Sequence, residues 1–511
     1  MGKGVPEFHP GDPEHAGGGQ RRPPYRAFAQ AIGISVMVGF AAIALTSVLS
    51  PRLARSDDDK RVAVRLPPKK SHTDHSGMMK GPFADGPSVT RACLTCHPAA
   101  GQQMLHSEHF TWLGESAMVP GKGGPGHESP QRIGKRNLIN NFCLTIESNW
   151  PRCTNCHAGY GWKDASFDFG KVENVDCLIC HEQTGTYRKD LGGVPVAGVN
   201  LAAVAGSVAA PTRENCGTCH FAGGGGDAVK HGDMDGTLSF PREHVDIHMG
   251  KHGLVCTDCH RTTEHKIPGQ SLSVEVSGRS HVACTDCHAT APHRNERLNG
   301  HTAAVACSTC HIPVMAVDAP TKMVWDWSTA GRDTAVKEPH RYLKEKGSFV
   351  YQAKVPPQYA WYDGTGERNL KGDRIEPTEV VSVSKPRGSI RDPNARIWPF
   401  KIHRGKQPYD TANKYLLVAQ TYGPGGFWTD YDWDKALQLG AKASGLPYSG
   451  QHGFVETEMY WPLAHMIQPG EHALQCADCH GERGRMDWVA LGYDGDPANR
   501  GGRIRQGLVN P

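Results

Sequence analysis

The hydrophobic and polar positions of this chain form one long apolar run and show little regular periodicity elsewhere. The run covers residues 27–49, contains no charged residue and is long enough to span a bilayer. Beyond it, neither the period of an amphipathic helix nor the alternation of a half-buried strand persists over long stretches. The pattern predicts a mainly α fold of short helices and extensive loops, with little β structure.

The apolar run has the features of a membrane anchor. Three arginines precede it, so residues 1–26 are predicted to be cytoplasmic and residues 27–49 to be an uncleaved transmembrane signal anchor. Residues 50–55 offer a poor cleavage site, but their two arginines weaken the orientation signal, and a long cleaved signal is the alternative. Both interpretations export the chain beyond residue 50, and residues 50–90 are predicted to be a tether.

Composition narrows the function classes. The chain has 511 residues, enough for one large domain or two ordinary ones, and its formal net charge is +4. No basic patch indicates a nucleic-acid partner. Glycine is frequent, with 60 residues, and glycine lets a backbone approach a large flat cofactor closely.

Of the 17 cysteines, all but Cys143 belong to the pattern Cys-x-x-Cys-His, which occurs eight times. By chance, this composition would give roughly 0.03 matches. In this pattern the two thiols form thioethers to a porphyrin and the adjacent histidine binds the iron, so the sequence predicts eight covalently bound haem c groups. The eight sites, in chain order, are Cys93, Cys96 and His97; Cys153, Cys156 and His157; Cys177, Cys180 and His181; Cys216, Cys219 and His220; Cys256, Cys259 and His260; Cys284, Cys287 and His288; Cys307, Cys310 and His311; and Cys476, Cys479 and His480.

The haem sites also define the domain organisation. Disulfides or zinc ribbons would explain paired cysteines, but not a histidine after every second one. Residues 91–490 are predicted to be an octahaem cytochrome domain wrapped around its haems, and residues 491–511 a tail. Within the octahaem domain, residues 312–460 hold no haem site and are rich in Trp and Tyr. This composition indicates a packing and lid region of loops with some strand. Haem attachment requires export, so the domain is predicted to be periplasmic.

Histidines outside the motifs are the candidates for the second axial position of each iron. An iron with two imidazoles is saturated and transfers electrons, whereas an iron with a weak or missing ligand can bind a substrate. Seven histidines near the motifs are predicted distal ligands, one fewer than the haems, with His106, His244 and His472 as alternatives. The seven are His109, His248, His265, His281, His293, His301 and His465.

Two other residues are candidates for chemistry at the remaining iron. Lys230 follows four consecutive glycines in the stretch 223–233, and a buried neutral lysine can bind ferric iron. A flexible surface loop explains this stretch equally well. Cys143, ten residues before the second motif, is a lone thiol that is either buried and inert or reactive.

Residues 91–490 resemble the octahaem tetrathionate reductase family of periplasmic cytochromes c. The resemblance is carried by the eight haem sites, by Asn-Asn-Phe-Cys at 140–143, by Gly-Tyr-Gly-Trp at 159–162 and by the stretch 223–233. It implies seven bis-histidine haems and a catalytic second haem, with Lys230 as the sixth ligand opposite His157 and Cys143 in the substrate pocket. The N-terminal anchor is a departure, because the family is associated with a soluble periplasmic form.

The resemblance implies a reductase that takes electrons from a redox partner such as a quinol dehydrogenase or a small cytochrome. Lys230, Cys143, His231 and Arg152 are the expected catalytic residues, holding an anion and supplying protons, with Cys143 exchanging with a sulfur chain. The small inorganic substrate is tetrathionate, with nitrite or hydroxylamine as further possibilities. Two alternatives stay open: a non-enzymatic electron conduit, and an enzyme that converts hydroxylamine or nitrite.

Overall fold

The part of the chain described by the computed structural model comprises residues 71–120, 128–269, 271–277, 281–335 and 338–509. The predicted cytoplasmic segment, signal anchor and most of the tether therefore lie outside the described residues. Within those ranges, no helix has both the length and the apolar character needed to cross a membrane.

The helices are short, as the weak periodicity predicts. The longest is α12, in which Asp432 caps the N-terminus by accepting from the Lys435 backbone N–H (3.1 Å) and Gly445 ends the helix in a left-handed conformation. The α-helices are α1 (Gly86–Leu94), α2 (Pro98–Leu105), α3 (Glu108–Thr111), α4 (Trp150–Cys153), α5 (Leu178–His181), α6 (Leu201–Gly206), α7 (Arg213–His220), α8 (Cys256–Cys259), α9 (Glu296–His301), α10 (Cys307–His311), α11 (Phe427–Asp430), α12 (Trp433–Ser444), α13 (Cys476–Cys479) and α14 (Pro497–Arg500).

Many haem motifs lie on single helical turns. The third, fourth, fifth, seventh and eighth motifs coincide, to within one residue at one end, with α5, with part of α7, and with α8, α10 and α13. The second and sixth motifs contain the 3-10 turns Thr154–Cys156 and Cys284–Asp286. One turn brings both cysteines and the following histidine to the same side of the backbone, as attachment to one porphyrin requires.

Eleven strands are described, nine of them in one mixed sheet. Their order across the sheet is β4, β5, β3, β9, β11, β8, β7, and β6 and β10 also pair with β9. The β3–β9 and β11–β8 pairs are parallel and the others antiparallel. The strands are β1 (Ser116–Pro120), β2 (Glu128–Arg132), β3 (Thr321–Asp326), β4 (Tyr342–Leu343), β5 (Gly347–Gln352), β6 (Gln358–Tyr362), β7 (Gly366–Arg368), β8 (Val381–Pro386), β9 (Arg396–Asp410), β10 (Tyr415–Leu416) and β11 (His452–Pro462).

The expected scarcity of β structure is not confirmed, because the motif-free segment forms this sheet. Its longest strand, β9, carries Lys401, His403 and Gln407 at alternating positions of one face, and all three are fully buried. Polar residues at inward positions remove the apolar alternation by which a half-buried strand is recognised. The partners of β9 are also distant in sequence, so no local signal indicates the pairing.

The largest apolar cluster lies on this sheet and supports the segment around Cys143. Trp325 stacks on Trp327 at 4.7 Å, and Phe142 lies 5.8 Å from Trp461, measured between ring centroids. Asn141 joins the segment to β9, because its amide donates to the His403 carbonyl (2.7 Å) and its Oδ1 lies 3.0 Å from the His403 Nδ1. The sheet therefore holds residues 140–143 in a fixed position.

Candidate active site

Six motif histidines lie opposite a second histidine at nearly the same separation. The ring centroids are 6.2 Å apart for His97 and His75, 6.0 Å for His220 and His109, 6.3 Å for His260 and His465, 6.0 Å for His288 and His248, 6.2 Å for His311 and His293, and 6.3 Å for His480 and His301. Two metal–nitrogen bonds of about 2 Å and two ring radii of about 1.1 Å span roughly 6.2 Å. The spacing therefore fits one iron held between each pair.

Hydrogen bonds at Nδ1 orient these rings. The His260 Nδ1 lies 2.7 Å from the Pro268 carbonyl, and the His480 Nδ1 lies 2.6 Å from the Asp496 carboxylate. Such a partner fixes the tautomer and leaves Nε2 free for a metal.

Five of the seven predicted distal histidines occur in these pairs: His109, His248, His293, His301 and His465. His265 is in none of them. Burial lowers the pKa of the half-buried His181 and the charge of His265 lowers it further, so His265 lies near the third motif. His281 is exposed and has no ring contact with a motif histidine among the described residues.

His75 is the ligand candidate that sequence analysis missed. It lies in the segment interpreted as a tether, and its ring faces His97 at 6.2 Å. Its Nδ1 lies 2.7 Å from the Thr73 carbonyl, which leaves Nε2 toward its partner. His75 could have been identified by its position shortly before the first motif, because several of the other candidate ligands also precede a motif.

Direct thiol–thiol contacts show which motifs are neighbours. They join the first motif to the third, the second to the fourth, the fourth to the fifth, and the sixth to the seventh. The charges of neighbouring thiols also link the third motif to the fourth, the fifth to the sixth, and the seventh to the eighth. The attachment sites therefore form one connected series, with the second site beside the fourth.

His157 differs from the histidines in these pairs. Its ring is fully buried among Phe110, Trp112, Trp162 and Phe167, at centroid distances of 4.8–5.5 Å. Its Nε2 donates to the Phe110 carbonyl at 2.5 Å, while its buried Nδ1 has no hydrogen-bond partner among the described residues. Among the motif histidines this packing distinguishes His157, and its assignment as a haem ligand stays a prediction.

Lys230 lies beside the second haem site. The charge of Lys230 interacts with those of the Cys156 and Cys143 thiols. Burial lowers the pKa of Lys230 to about 8, and the charge of Lys135 contributes to this shift. The Gly-rich stretch is needed for this approach. A Cβ on Gly224, which has φ +82°, would lie 2.7 Å from the Lys230 Cγ and 2.7 Å from the Phe142 ring.

A buried lysine anchors the base of the Lys230 loop. The Lys401 Nζ donates to the Val229 carbonyl (2.7 Å) and to the Thr321 Oγ1 (2.6 Å). The Thr321 hydroxyl in turn donates to the Ala228 carbonyl (2.8 Å). The same hydroxyl lies 2.9 Å from the His231 carbonyl, so the sheet fixes the residues on both sides of Lys230.

Lys401→Met should loosen this turn. Methionine fills a similar volume but leaves the Val229 carbonyl and Thr321 hydroxyl without their donor, at a cost of about 1–3 kcal/mol for each group that stays buried. We expect a lower midpoint of thermal unfolding for the haem-loaded protein, measured by circular dichroism, with the exposed Lys442→Met as the control. An unchanged midpoint in Lys401→Met would show that the network does not hold the loop.

Four lysines surround the Cys143 thiol. Burial raises its pKa, and the charges of Lys135, Lys346, Lys322 and Lys230 oppose that shift, in decreasing order. Lys135, Lys322 and Lys346 were not recognised from the sequence, because they lie on three separate segments that only the fold brings together.

The other two predicted catalytic residues lie in different surroundings. The His231 ring is 4.7 Å from that of Trp461, and burial, followed by the charge of Lys230, lowers its pKa to about 3. His231 is therefore neutral at physiological pH. Arg152 is exposed, and its charge interacts with the Cys153 thiol, one of the two that attach the second haem.

A crystal structure of an octahaem cytochrome c from Shewanella oneidensis superposes on the chain with a TM-score of 0.78. The two are 46% identical, and the match covers 84% of this chain and 98% of that one. The chain belongs to the octahaem cytochrome c family. A family model for bacterial cytochrome c matches residues 322–483. An uncharacterized protein of Archaeoglobus fulgidus is 24% identical over 250 residues, which cover 39% of this chain and 82% of that protein.

Family membership and the motif geometry agree on the cofactor. The protein is an octahaem cytochrome c whose cysteine pairs carry covalent haem c. The opposed imidazoles are the donors that haem iron requires, and in His75, His260, His301, His465 and His480 the Nδ1 lies against a carbonyl or carboxylate oxygen. The sheet is part of the family match, since β3 to β11 lie almost entirely in the region that the bacterial cytochrome c model covers.

The pairing of His75 with His97 predicts a spectroscopic change in this octahaem cytochrome. His75→Ala should convert one low-spin haem to a high-spin or mixed-spin haem, because its iron loses a strong-field imidazole. Electron paramagnetic resonance of the oxidised protein measures the change. His244→Ala is the matched control, since the half-exposed His244 pairs with Asp318 (3.0 Å). A His75→Ala spectrum identical to that of the wild type would remove His75 from the ligand set.

Proposed function

We propose that this octahaem cytochrome c is a reductase whose catalytic centre is the second haem site, with tetrathionate as its substrate. The observation that carries the proposal is the position of Lys230 at this site. Lys230, with its pKa lowered to about 8, lies beside Cys156, whereas the ring contacts of His157 among the described residues are all with Phe and Trp. The other described motif histidines either face a second imidazole or, like His181, bind through Nδ1 and leave Nε2 free.

Lys230 would be the sixth ligand of the second haem, which Cys153, Cys156 and His157 would hold. A lysine binds a metal only as the neutral amine, and burial favours the neutral form. Among the described residues, the ring contacts of His157 include no second imidazole. The haem, when bound, would supply electrons and a coordination position that a weakly held amine can yield to a substrate.

The surrounding residues favour an anionic sulfur substrate. Lys135 and Lys346 place positive charge around the Cys143 thiol, and Lys322, whose pKa burial lowers to about 7, adds charge in its protonated form. Tetrathionate is a dianion whose central disulfide needs two electrons and no proton to give two thiosulfates. The lysines attract the anion and stabilise the two further negative charges as they develop. Cys143 is placed to exchange with the sulfur chain.

Reduction of candidate substrates by the purified holoprotein tests the proposal. The protein is reduced with methyl viologen under anaerobic conditions, and its reoxidation by tetrathionate, nitrite or hydroxylamine is followed at the haem absorption bands. We expect fast turnover with tetrathionate. Reoxidation by none of the three would contradict an enzymatic role and would leave the electron conduit.

The location of the protein belongs to the same proposal. Residues 27–49 would anchor the cytochrome to the cytoplasmic membrane and the haem domain would lie in the periplasm, within reach of a quinol dehydrogenase or a small cytochrome. Recovery of the full-length chain in the membrane fraction after a high-salt wash supports this arrangement, and recovery in the soluble periplasmic fraction contradicts it.

A further inference from the structure

The motif histidine of the eighth haem site is held by a carboxylate. The His480 Nδ1 donates to the Asp496 Oδ1 at 2.6 Å, and the same oxygen accepts from the Ala498 backbone N–H (2.8 Å). The other carboxylate oxygen accepts from the Gly481 backbone N–H (2.7 Å). All three partners of the carboxylate are N–H donors, which fits its ionised form. The His480 and Asp496 side chains are both mostly buried, so water screens their contact only in part.

The neighbouring seventh site differs in this respect. The Leu474 backbone N–H donates to the Cys310 carbonyl (2.9 Å), which places the segment before the eighth motif against the seventh motif. In the seventh site, the buried Nδ1 of His293 has no hydrogen-bond partner among the described residues. The two adjacent sites therefore present different charges to an axial imidazole.

A longer carboxylate contact occurs at the fifth site. The His465 Nδ1 lies 3.3 Å from the Asp233 Oδ2, and that oxygen also accepts from the backbone N–H groups of Ala464 (2.7 Å) and His465 (2.8 Å). The longer distance and the sharing of one oxygen among three donors weaken its effect on the ring. Of these two carboxylate contacts, the one at the eighth site is the stronger.

We infer that Asp496 is a positioning residue that lowers the reduction potential of the eighth haem below that of the seventh. A carboxylate at Nδ1 draws the ring proton toward itself and makes the imidazole of His480 a stronger donor, which stabilises ferric over ferrous iron. The eighth site lies at one end of the connected series of attachment sites. An electron that arrives at this end would therefore pass inward, so that the eighth iron is oxidised as the seventh is reduced.

A purely structural role for Asp496 is the alternative. Asp496 is also the N-cap of α14, through its contact with the Ala498 N–H. Asparagine caps helices about as well as aspartate, so Asp496→Asn removes the charge and keeps the cap. The His480 ring is held independently by Trp488, on which it stacks at 5.1 Å between centroids. Asp496→Asn should therefore keep His480 on its iron.

The test is a redox titration of haem-loaded Asp496→Asn, with electron paramagnetic resonance spectra recorded on samples frozen at set potentials. We expect one low-spin haem to be reduced at a higher potential, so that its ferric-to-ferrous ratio at a fixed potential falls about tenfold. The other haems should titrate as in the wild type. Asp494→Asn is the matched control, because it removes the same charge from an exposed side chain two residues away.

Two ligand variants assign the signals. His301→Ala should mark the eighth haem and His293→Ala the seventh, because each iron loses an imidazole and its low-spin signal disappears. In the wild type, the signal assigned to the eighth haem should persist at potentials where that of the seventh has already been lost by reduction. This order of reduction keeps the inference testable if Asp496→Asn fails to assemble.

Three results would overturn the inference. Unchanged potentials in Asp496→Asn would show that the carboxylate does not tune the haem. A high-spin eighth haem in that variant would show that Asp496 only holds His480 in place. Reduction of the eighth haem before the seventh in the wild type would reverse the inferred direction of transfer. None of these measurements uses a substrate, so their outcome is independent of the proposed tetrathionate reduction.

Discussion

Lys230→Ala should abolish most tetrathionate reduction, with a fall in kcat of about 100-fold or more. The variant removes the amine that we place on the second haem, and the ring contacts of His157 among the described residues offer no imidazole in its place. The spectrum of one haem should change at the same time, because its iron takes water or another weak ligand. Stopped-flow turnover and electron paramagnetic resonance measure the two effects.

Two comparisons make the Lys230 result specific. Lys163→Ala, an exposed lysine close in sequence to the second motif, should leave both turnover and spectrum as in the wild type. The remaining haems of Lys230→Ala should keep their signals, since the series of attachment sites does not depend on this side chain. If Lys230→Ala reduced tetrathionate at the normal rate with an unaltered spectrum, Lys230 would be no ligand.

Cys143→Ser should lower tetrathionate turnover by about 100-fold. In the proposed exchange, the Cys143 thiolate attacks the central S–S bond, one thiosulfate leaves, and a mixed disulfide carrying the second thiosulfate forms on Sγ. Two electrons then break that disulfide, which releases the second thiosulfate and restores the thiolate. Burial raises the pKa of this thiol, and the charges of Lys135, Lys346 and Lys322 favour the thiolate against it.

The mixed disulfide can be observed directly. When the oxidised holoprotein is mixed with tetrathionate and quenched in acid, mass spectrometry should find the added mass of one thiosulfate on the peptide containing Cys143. The same treatment of Cys143→Ser should leave that peptide unmodified. Full tetrathionate activity in Cys143→Ser, together with an unmodified wild-type peptide, would assign Cys143 a packing role.

The haem sites could be predicted from the sequence because each is a local pattern. Two thiols and a histidine must leave one helical turn together, so their spacing along the chain is fixed. The same reasoning fails for distal ligands, which only the fold brings to the iron. His75 shows this most clearly, since it faces His97 from a segment that composition alone marked as a tether.

The sheet and the lysine pocket could not be predicted, for a related physical reason. β9 carries buried polar residues such as Lys401 and His403, so its sequence lacks the apolar alternation that would indicate a paired strand. Lys322 and Lys346 lie nearly two hundred residues after Cys143 in the sequence. The pairing of β3 with β5 brings them together near that cysteine. The sequence pointed to Lys230 and Cys143 but gave no sign of the charges around them.

The motif histidines also illustrate a limit of pattern recognition. All eight sites end in histidine, so the pattern alone treats the second site like the rest. Only the aromatic rings around His157, such as Trp162, and the nearby Lys230 distinguish it. This difference depends on tertiary packing around an ordinary motif.

The central claim is that one haem of this octahaem cytochrome c would have Lys230, and not a second histidine, as its distal ligand. Near-infrared magnetic circular dichroism of the oxidised holoprotein, recorded before and after addition of cyanide, tests it most directly. The account predicts bis-histidine signals for the other haems and one distinct signal that shifts with cyanide and is altered in Lys230→Ala. A spectrum of bis-histidine haems only, unchanged by cyanide, would contradict it.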